Sequence, residues 1–446
     1  LRNSSAASDV YKRQILAFLL LTTFAFVVSG KKYVGIYRNI SMGKAEDSAP
    51  NRSLRWKNML RIALGQGKMF ANLPAAILHL CVYVAFVFTQ IELIEIFADG
   101  FTGSHRILYN SIQSSWFIGL YTAIISTIEV LSLLALIATF FFLARRNMLS
   151  IPRFRKAEME GWPHRDANII LYWEIVLVTC IFLMNGADAA LYPDEYGFIF
   201  SSNLGPALLG GLSESTLHLL ERIGWWGHIT GVLGFLIYLP YSKHLHILLA
   251  FPNTFYARQK PAGQIDSLES VTQEIKLMMN PDTAFAAADP NAEIPTFGAK
   301  DVGDLTWKNL LDAYSCTECG RCTDQCPANL TGKKLSPRKV MMDTRDRMEE
   351  LAAFRKGSGE EHDGKSLISD EYVSVEELRA CTTCNACVEA CPVMINPLDI
   401  IIQMRRNLIL EQSNSPEEWN ALFNSIENSN AAWAFPASDR LKWTEN

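Results

Sequence analysis

Hydrophobic positions fall in five long apolar stretches in the first 251 residues and in short amphipathic stretches after that. The apolar runs are Ile15 to Gly30, Met69 to Ala98, Trp116 to Ala144, Asn168 to Ala190 and Trp225 to Phe251. A membrane-spanning helix needs about 20 apolar residues, so the first run is short and the other four are ample. Beyond Phe251 the pattern predicts several short capped helices. Asp304 is placed to cap a helix over 305–314, and Ser374 with Glu377 forms a capping box for a helix entering Cys381. Ser336-Pro337 and Asn396-Pro397 each put a capping side chain before a proline at the first helical position, launching helices over Lys339–Phe354 and Leu398–Leu410. Alternating β-type residues are scarce beyond Phe251, so the expected class is mainly α: a bundle of about five transmembrane helices followed by an all-helical second domain.

Composition agrees with partial membrane insertion: 49% hydrophobic residues, 20% charged, ten Trp and 24 Phe in 446 residues. A net charge of −5 lacks the basic stripe that nucleic-acid binding requires. The Lys and Arg distribution sets the orientation. Nine lie between Lys31 and Lys68 and six between Arg145 and Arg165, whereas the opposite connections hold only Arg106 and Arg222. By the positive-inside bias, the basic loops and everything after Phe251 are cytoplasmic. Leu1 to Gln14 has neither core periodicity nor signal-peptide logic, resembles a tract found at the ends of unrelated assembled sequences, and is set aside from the fold.

The chemistry lies in ten cysteines and a few histidines. Cys316, Cys319, Cys322 and Cys326-Pro327 repeat as Cys381, Cys384, Cys387 and Cys391-Pro392, each 65 residues after its counterpart (316 to 381, 326 to 391). C-x2-C-x2-C-x3-C-P is the ligand run of a two-cluster ferredoxin, in which three close thiolates hold one cubane and the fourth reaches the other. The pattern predicts two [4Fe-4S] clusters, on Cys316, Cys319, Cys322 and Cys391, and on Cys381, Cys384, Cys387 and Cys326. Four-cysteine zinc knuckles are the alternative; they have no use for a third evenly spaced cysteine followed by a fourth with proline. Cys81 and Cys180 sit in apolar runs and leave no disulfide framework, which fits a reducing compartment.

Histidine inside a membrane span is costly and marks a candidate site. His79 lies in the cytoplasmic half of the second run, and His228 and His246 lie 18 residues apart on the fifth. Five turns of one helix would put these two on one face, about 27 Å apart. A bis-histidine b haem between His79 and His246, or less well phased His244, is expected; hydrogen-bonded packing histidines are the alternative. Glu129, mid-span, reads as a protonated carboxyl bonded between helices, with a proton relay or quinone contact as the other reading. Gly205 to Gly224 reads as an interfacial helix before the fifth span, and Lys339–Arg347 as a solvated helix with an apolar stripe.

These features give the membrane half a resemblance to the cytochrome b (gamma) subunit of respiratory nitrate reductase and the related membrane subunit of heterodisulfide reductase. The cysteine half resembles the C-type iron-sulfur subunit of heterodisulfide reductase. In the gamma-subunit pattern the second span carries two histidines ten residues apart; here Thr89 stands ten residues beyond His79, so the resemblance implies one haem, on His79 and His246. A second haem would need His105 or His218 to approach His228. The resemblance further implies electron exchange with a quinone pool and with a separate heterodisulfide reductase-like catalytic subunit, from a multi-pass position in the lipid bilayer of a bacterial or archaeal cell. No adjacent Cys-Cys pair, phosphate loop or dinucleotide fingerprint is present, so no substrate site is expected in the chain itself. The alternative function is a haem-free membrane scaffold tethering a ferredoxin-like module. The domain reading is 1–68 first span and basic loop, 69–251 four-span domain, 252–303 linker (with 282–299 disordered), 304–411 dicluster domain and 412–446 tail.

Overall fold

The computed structural model describes residues 5–47, 49–111, 114–193, 195–280 and 296–445, excluding the side chains of residues 5–11. Five helices are long and apolar enough to cross a membrane: α1 (Ser5–Ile40), α2 (Leu73–Thr102), α3 (Ser115–Asn147), α4 (Trp162–Leu191) and, after the short α5 (Ser201–Leu209), α6 (Glu214–Tyr238). They pack in a bundle in which α4 against α6 and α2 against α3 are the main pairs. Small residues permit the tightest approach, since a Cβ on Gly205 of α5 would collide with the carbonyl of Gly186 on α4. The described residues contain only helices and two isolated bridges, as the scarcity of β pattern predicts.

Three expectations about the membrane half change. Residues set aside at the N-terminus belong to a helix from Ser5, and that helix continues to Ile40 instead of ending at Gly30. Its last turns leave the apolar zone and dock on the second domain: Ile36 joins that domain's core, and Asn39 donates to Tyr314 at 2.8 Å. The fifth span is not one helix through Phe251. Pro240 follows the end of α6, two 3-10 turns intervene, the Ser242 hydroxyl accepts from His244 N–H, and α7 (His246–Phe255) starts anew. His228 and His246 therefore share no helix face. The interfacial helix expected over Gly205–Gly224 is also absent, because α5 ends at Leu209, and Ser213 caps α6 well before Trp225. Glu129 is fully buried and accepts backbone N–H bonds from Ile199, Phe200 and Ser201 at 2.6, 2.7 and 3.1 Å. The expected bonding between helices is therefore present, running from the Glu129 carboxyl of α3 to the backbone donors at the start of α5.

The second domain follows the capping signals closely. α8 (Trp307–Tyr314) is capped by Thr306 with Asn309, whereas Asp304 closes a 3-10 turn with Asp301. α9 (Pro337–Ser358), α10 (Val375–Ala380) and α11 (Pro397–Arg406) start at Ser336, Ser374 and Asn396 as predicted. α9 is not a solvated helix: Arg338, Val340, Met341 and Arg347 are fully buried, making it the central post of the domain. Arg347 can be buried because it grips Asp301 and Asp363 together, at 2.6 to 2.9 Å. This bond lowers the Asp363 carboxyl from its usual 3.8 to about 2. A depressed acid stabilises the fold fully above its unfolded value and loses that contribution as pH falls toward the folded one. The difference in denaturant midpoint between the parent and Asp363→Asn should thus be constant near neutrality and shrink below about pH 4. The linker carries an amphipathic helix, Glu269–Met279. The disorder expectation falls largely on residues 281–295, outside the described residues, and beyond them Ala299 N–H bonds to the Gln403 carbonyl at 2.9 Å.

Candidate electron-transfer site

The cysteine motifs are two loops that take the same backbone turn. Glu318 and Thr383, each two residues after the first cysteine, have φ of +52° and +56°; Gly320 and Asn385, each one residue after the second, have φ of +75° and +63°. These left-handed residues turn backbone N–H groups toward the sulfurs, and Thr383 N–H lies 3.4 Å from Cys381 Sγ. Only glycine and asparagine tolerate such a turn at little cost, which explains the residues after Cys319 and Cys384.

The fourth cysteine of each motif crosses over. Cys316, Cys319, Cys322 and Cys391 line one small cavity, walled by Arg338, Met341 and Ile395. In the other set, burial lifts the Cys387 thiol to about 12, and Cys381, Cys326 and Cys384 lie near enough to push it the same way. Burial likewise lifts Cys316 and Cys391 to about 12. Thiolates so placed need a multivalent cation to be deprotonated at neutral pH, which is what an iron-sulfur cluster supplies. The structure brings the eight cysteines together as two groups of four, each drawing its fourth cysteine from the other motif. Ile395 N–H, 3.3 Å from Cys391 Sγ, and the buried guanidinium of Arg338 favour the more negative, reduced state of whatever the first set holds. Arg338 is not legible in the sequence as a site residue; its charge is drawn inward by Glu158 at 2.7 Å and the Arg153 carbonyl at 2.8 Å, both from the loop between α3 and α4.

That first set sits on the membrane domain. Glu318 bonds Lys243 Nζ at 2.7 Å and Arg345 at 2.9 Å; burial alone would raise its carboxyl, but the two cations hold it below the usual range. Lys243 is also next to the histidines. Its carbonyl lies 2.9 Å from His246 Nδ1, and Gln66 Oε1 lies 2.9 Å from His79 Nδ1. The His244 and His246 rings are 5.4 Å apart, and His79 is close enough to feel the charge of His246 and of Arg321 in the cysteine loop. Burial lowers the pKa of His244 and His246, keeping both imidazoles neutral. An acceptor at Nδ1 fixes the proton there and leaves Nε2 with a free lone pair, the usual arrangement around a metal-ligating histidine. His79 and His246 thus each hold an Nδ1 acceptor contact that leaves Nε2 free, and His244 Nδ1 is buried without a hydrogen-bond partner among the described residues.

His228 stands apart, its Nδ1 3.1 Å from the Leu177 carbonyl. Neither outer histidine is placed toward it: His105 is bound up with Asp188 and Arg222, and His218 lies 3.7 Å from Glu214. Thr89 bonds back to the Phe86 carbonyl.

Residues 315–395 match the family model of the 4Fe-4S dicluster domain. The cysteine domain is an iron-sulfur dicluster domain. Over 96% of its length the chain is 26% identical to a probable iron-sulfur-binding oxidoreductase FadF of Bacillus subtilis, covering 60% of that protein. It is 28% identical over 56% of its length to an EtfAB:quinone oxidoreductase of Syntrophomonas wolfei, covering 34% of it. It is 26% identical over 70% of its length to a probable membrane-anchored ferredoxin of Chromohalobacter salexigens, covering 44% of it. Shorter matches reach one of the subunits of a CoB-CoM heterodisulfide reductase of Methanosarcina acetivorans, 32% identical over 24% of the chain. The chain thus spans 60% or less of the first three relatives. No solved structure matches it significantly. The chain thus joins five helices long and apolar enough to cross a membrane to a C-terminal iron-sulfur dicluster domain, and it is similar to iron-sulfur oxidoreductases and to a membrane-anchored ferredoxin.

Proposed function

We propose that this chain carries single electrons between a quinone pool in the bilayer and a separate heterodisulfide reductase-like catalytic subunit at the cytoplasmic surface. In this reading His79 and His246 hold a b haem, Cys316, Cys319, Cys322 and Cys391 hold one [4Fe-4S] cluster, and Cys381, Cys384, Cys387 and Cys326 hold the other. The haem and clusters, when bound, supply the one-electron steps. One observation carries the reading: Lys243 bonds His246 through its carbonyl and Glu318 of the first cysteine loop through its ammonium, fastening the histidine group directly beneath that loop.

The packing of the chain supports this order of the sites. The loop from Cys316 to Cys322 rests on the membrane domain through Lys243 and through Arg321, which reaches the Lys68 carbonyl at 3.5 Å; Arg153 adds a contact to Asp324 at 3.3 Å. In the second set Cys384 is the one exposed cysteine. The first set faces the membrane donor or acceptor and the second faces the partner. A membrane position with basic loops inward, and the names of the quinone-linked and heterodisulfide reductase relatives, support the two ends of the route.

A pyridine haemochrome assay on purified protein tests the haem. About one haem per chain is expected, and His79→Ala should abolish the reduced b-type band while leaving iron-sulfur absorbance intact. Wild-type protein without haem would instead favour the tethering scaffold. His228→Ala is expected to leave the band unchanged.

A further inference from the structure

At the end of the bundle opposite the cysteine domain lies a buried cluster of charge that takes no part in the route above. Glu92, Glu95 and Asp99 of α2, Asp188 of α4 and Glu221 of α6 are all buried. Arg106, itself buried at φ +48°, turns inward to meet Glu92 and Asp188 at 3.2 Å and Asn185 at 2.6 Å. Arg222 meets Glu221 at 2.5 Å. Five carboxylates are answered by two guanidinium groups, and a buried surplus of negative charge is not stable without further cations or protons.

The surplus has a specific location. Asp188 Oδ2 accepts from Arg106 and Glu221 Oε2 accepts from Arg222, and each residue turns its second oxygen toward His105. Asp188 Oδ1 lies 3.2 Å from His105 Nε2, and Glu221 Oε1 lies 3.8 Å from His105 Nδ1. Among the described residues neither oxygen, nor His105 Nε2, makes a hydrogen bond of acceptable geometry. One ligand atom from each residue falls within 4.8 Å of the others. The 3.2 Å between Nε2 and Oδ1 already suits two donors held about 2.0 to 2.1 Å from one ion.

We infer that His105, Asp188 and Glu221 form a binding site for a divalent cation of the zinc class. One imidazole and two carboxylates suit such an ion and leave a fourth position for water. Arg222 borders the site, with Nη2 3.2 Å from His105 Nδ1. A guanidinium donating to Nδ1 leaves the ring proton on Nε2, so the ion requires Arg222 to withdraw and the proton to move to Nδ1. Arg222 is the one member free to do so, its side chain being 33% exposed.

The test uses the full chain in detergent with its iron content intact. After mild chelation and equilibration with micromolar Zn2+, the parent should retain one zinc per chain by elemental analysis. His105→Gln and Glu221→Gln should each weaken retention tenfold or more, and His218→Gln, at the exposed pair with Glu214, should not. Arg222→Gln removes the competing cation and should tighten binding, which keeps the inference testable if a carboxylate variant fails to fold. A parent that holds no more zinc than Glu221→Gln, or an Arg222→Gln variant that binds no more tightly than the parent, would overturn the site and leave protons as the neutralising charge.

Discussion

Cys391→Ser should halve the iron of the purified chain, from about eight atoms to about four, and abolish the cluster next to the membrane domain although Cys316, Cys319 and Cys322 are untouched. The reason is the crossover: Cys391 belongs by sequence to the second motif but lines the cavity of the first. Cys326→Ser should have the mirror effect, removing the cluster of Cys381, Cys384 and Cys387. The two variants are then distinguishable by function. With Cys391 replaced, the proposed route predicts that electrons supplied from the membrane side do not reach the remaining cluster. With Cys326 replaced, electrons should reach the first cluster and stop before a soluble acceptor. Iron analysis with low-temperature EPR reads both outcomes. If Cys391→Ser instead deletes the signal dependent on Cys384, each motif keeps its own fourth ligand and the proposed route is wrong.

Arg106→Ala should collapse the outer end of the membrane domain. The guanidinium is buried, 3.2 Å from Glu92 and Asp188 and 3.9 Å from Glu95, and stacks near Tyr196 and Phe198. Removing one partner of a buried ion group leaves uncompensated charge at a cost of about 3 to 5 kcal/mol. Lysine is expected to rescue little, since a single ammonium cannot reproduce a fork shared among three carboxylates and Asn185. Melting of the detergent-solubilised protein should drop by many degrees, while the dicluster domain, at the other end of the chain's fold, keeps its iron. An unchanged melting midpoint would show that the carboxylates are held protonated and that Arg106 carries little of their burial.

What can be read along the chain is whatever depends on neighbours in sequence. The cysteine spacing dictates a tight turn around one centre, and Ser336, Ser374 and Asn396 start helices where their side chains meet the next turn's N–H groups. The apolar runs likewise announce spans, because length and hydropathy are local properties. Thr306 replaces Asp304 as a cap because both lie within three residues of the helix start and only packing chooses between them. The break after Pro240 is visible as a proline, but the apolar pattern around it argues for one continuous span, and His246 proves to start a helix of its own.

The sequence by itself determined the class of the protein: spans from apolar length, and iron-sulfur ligation from eight cysteines at fixed local spacing. Only the tertiary structure decided which sites face one another. His79 meets His246, Lys243 meets Glu318, and Arg106 meets Asp188 across separations of about 75 to 170 residues. Nothing local encodes such pairs, because each becomes favourable only when packed helices exclude water and leave a buried charge or imidazole no other partner.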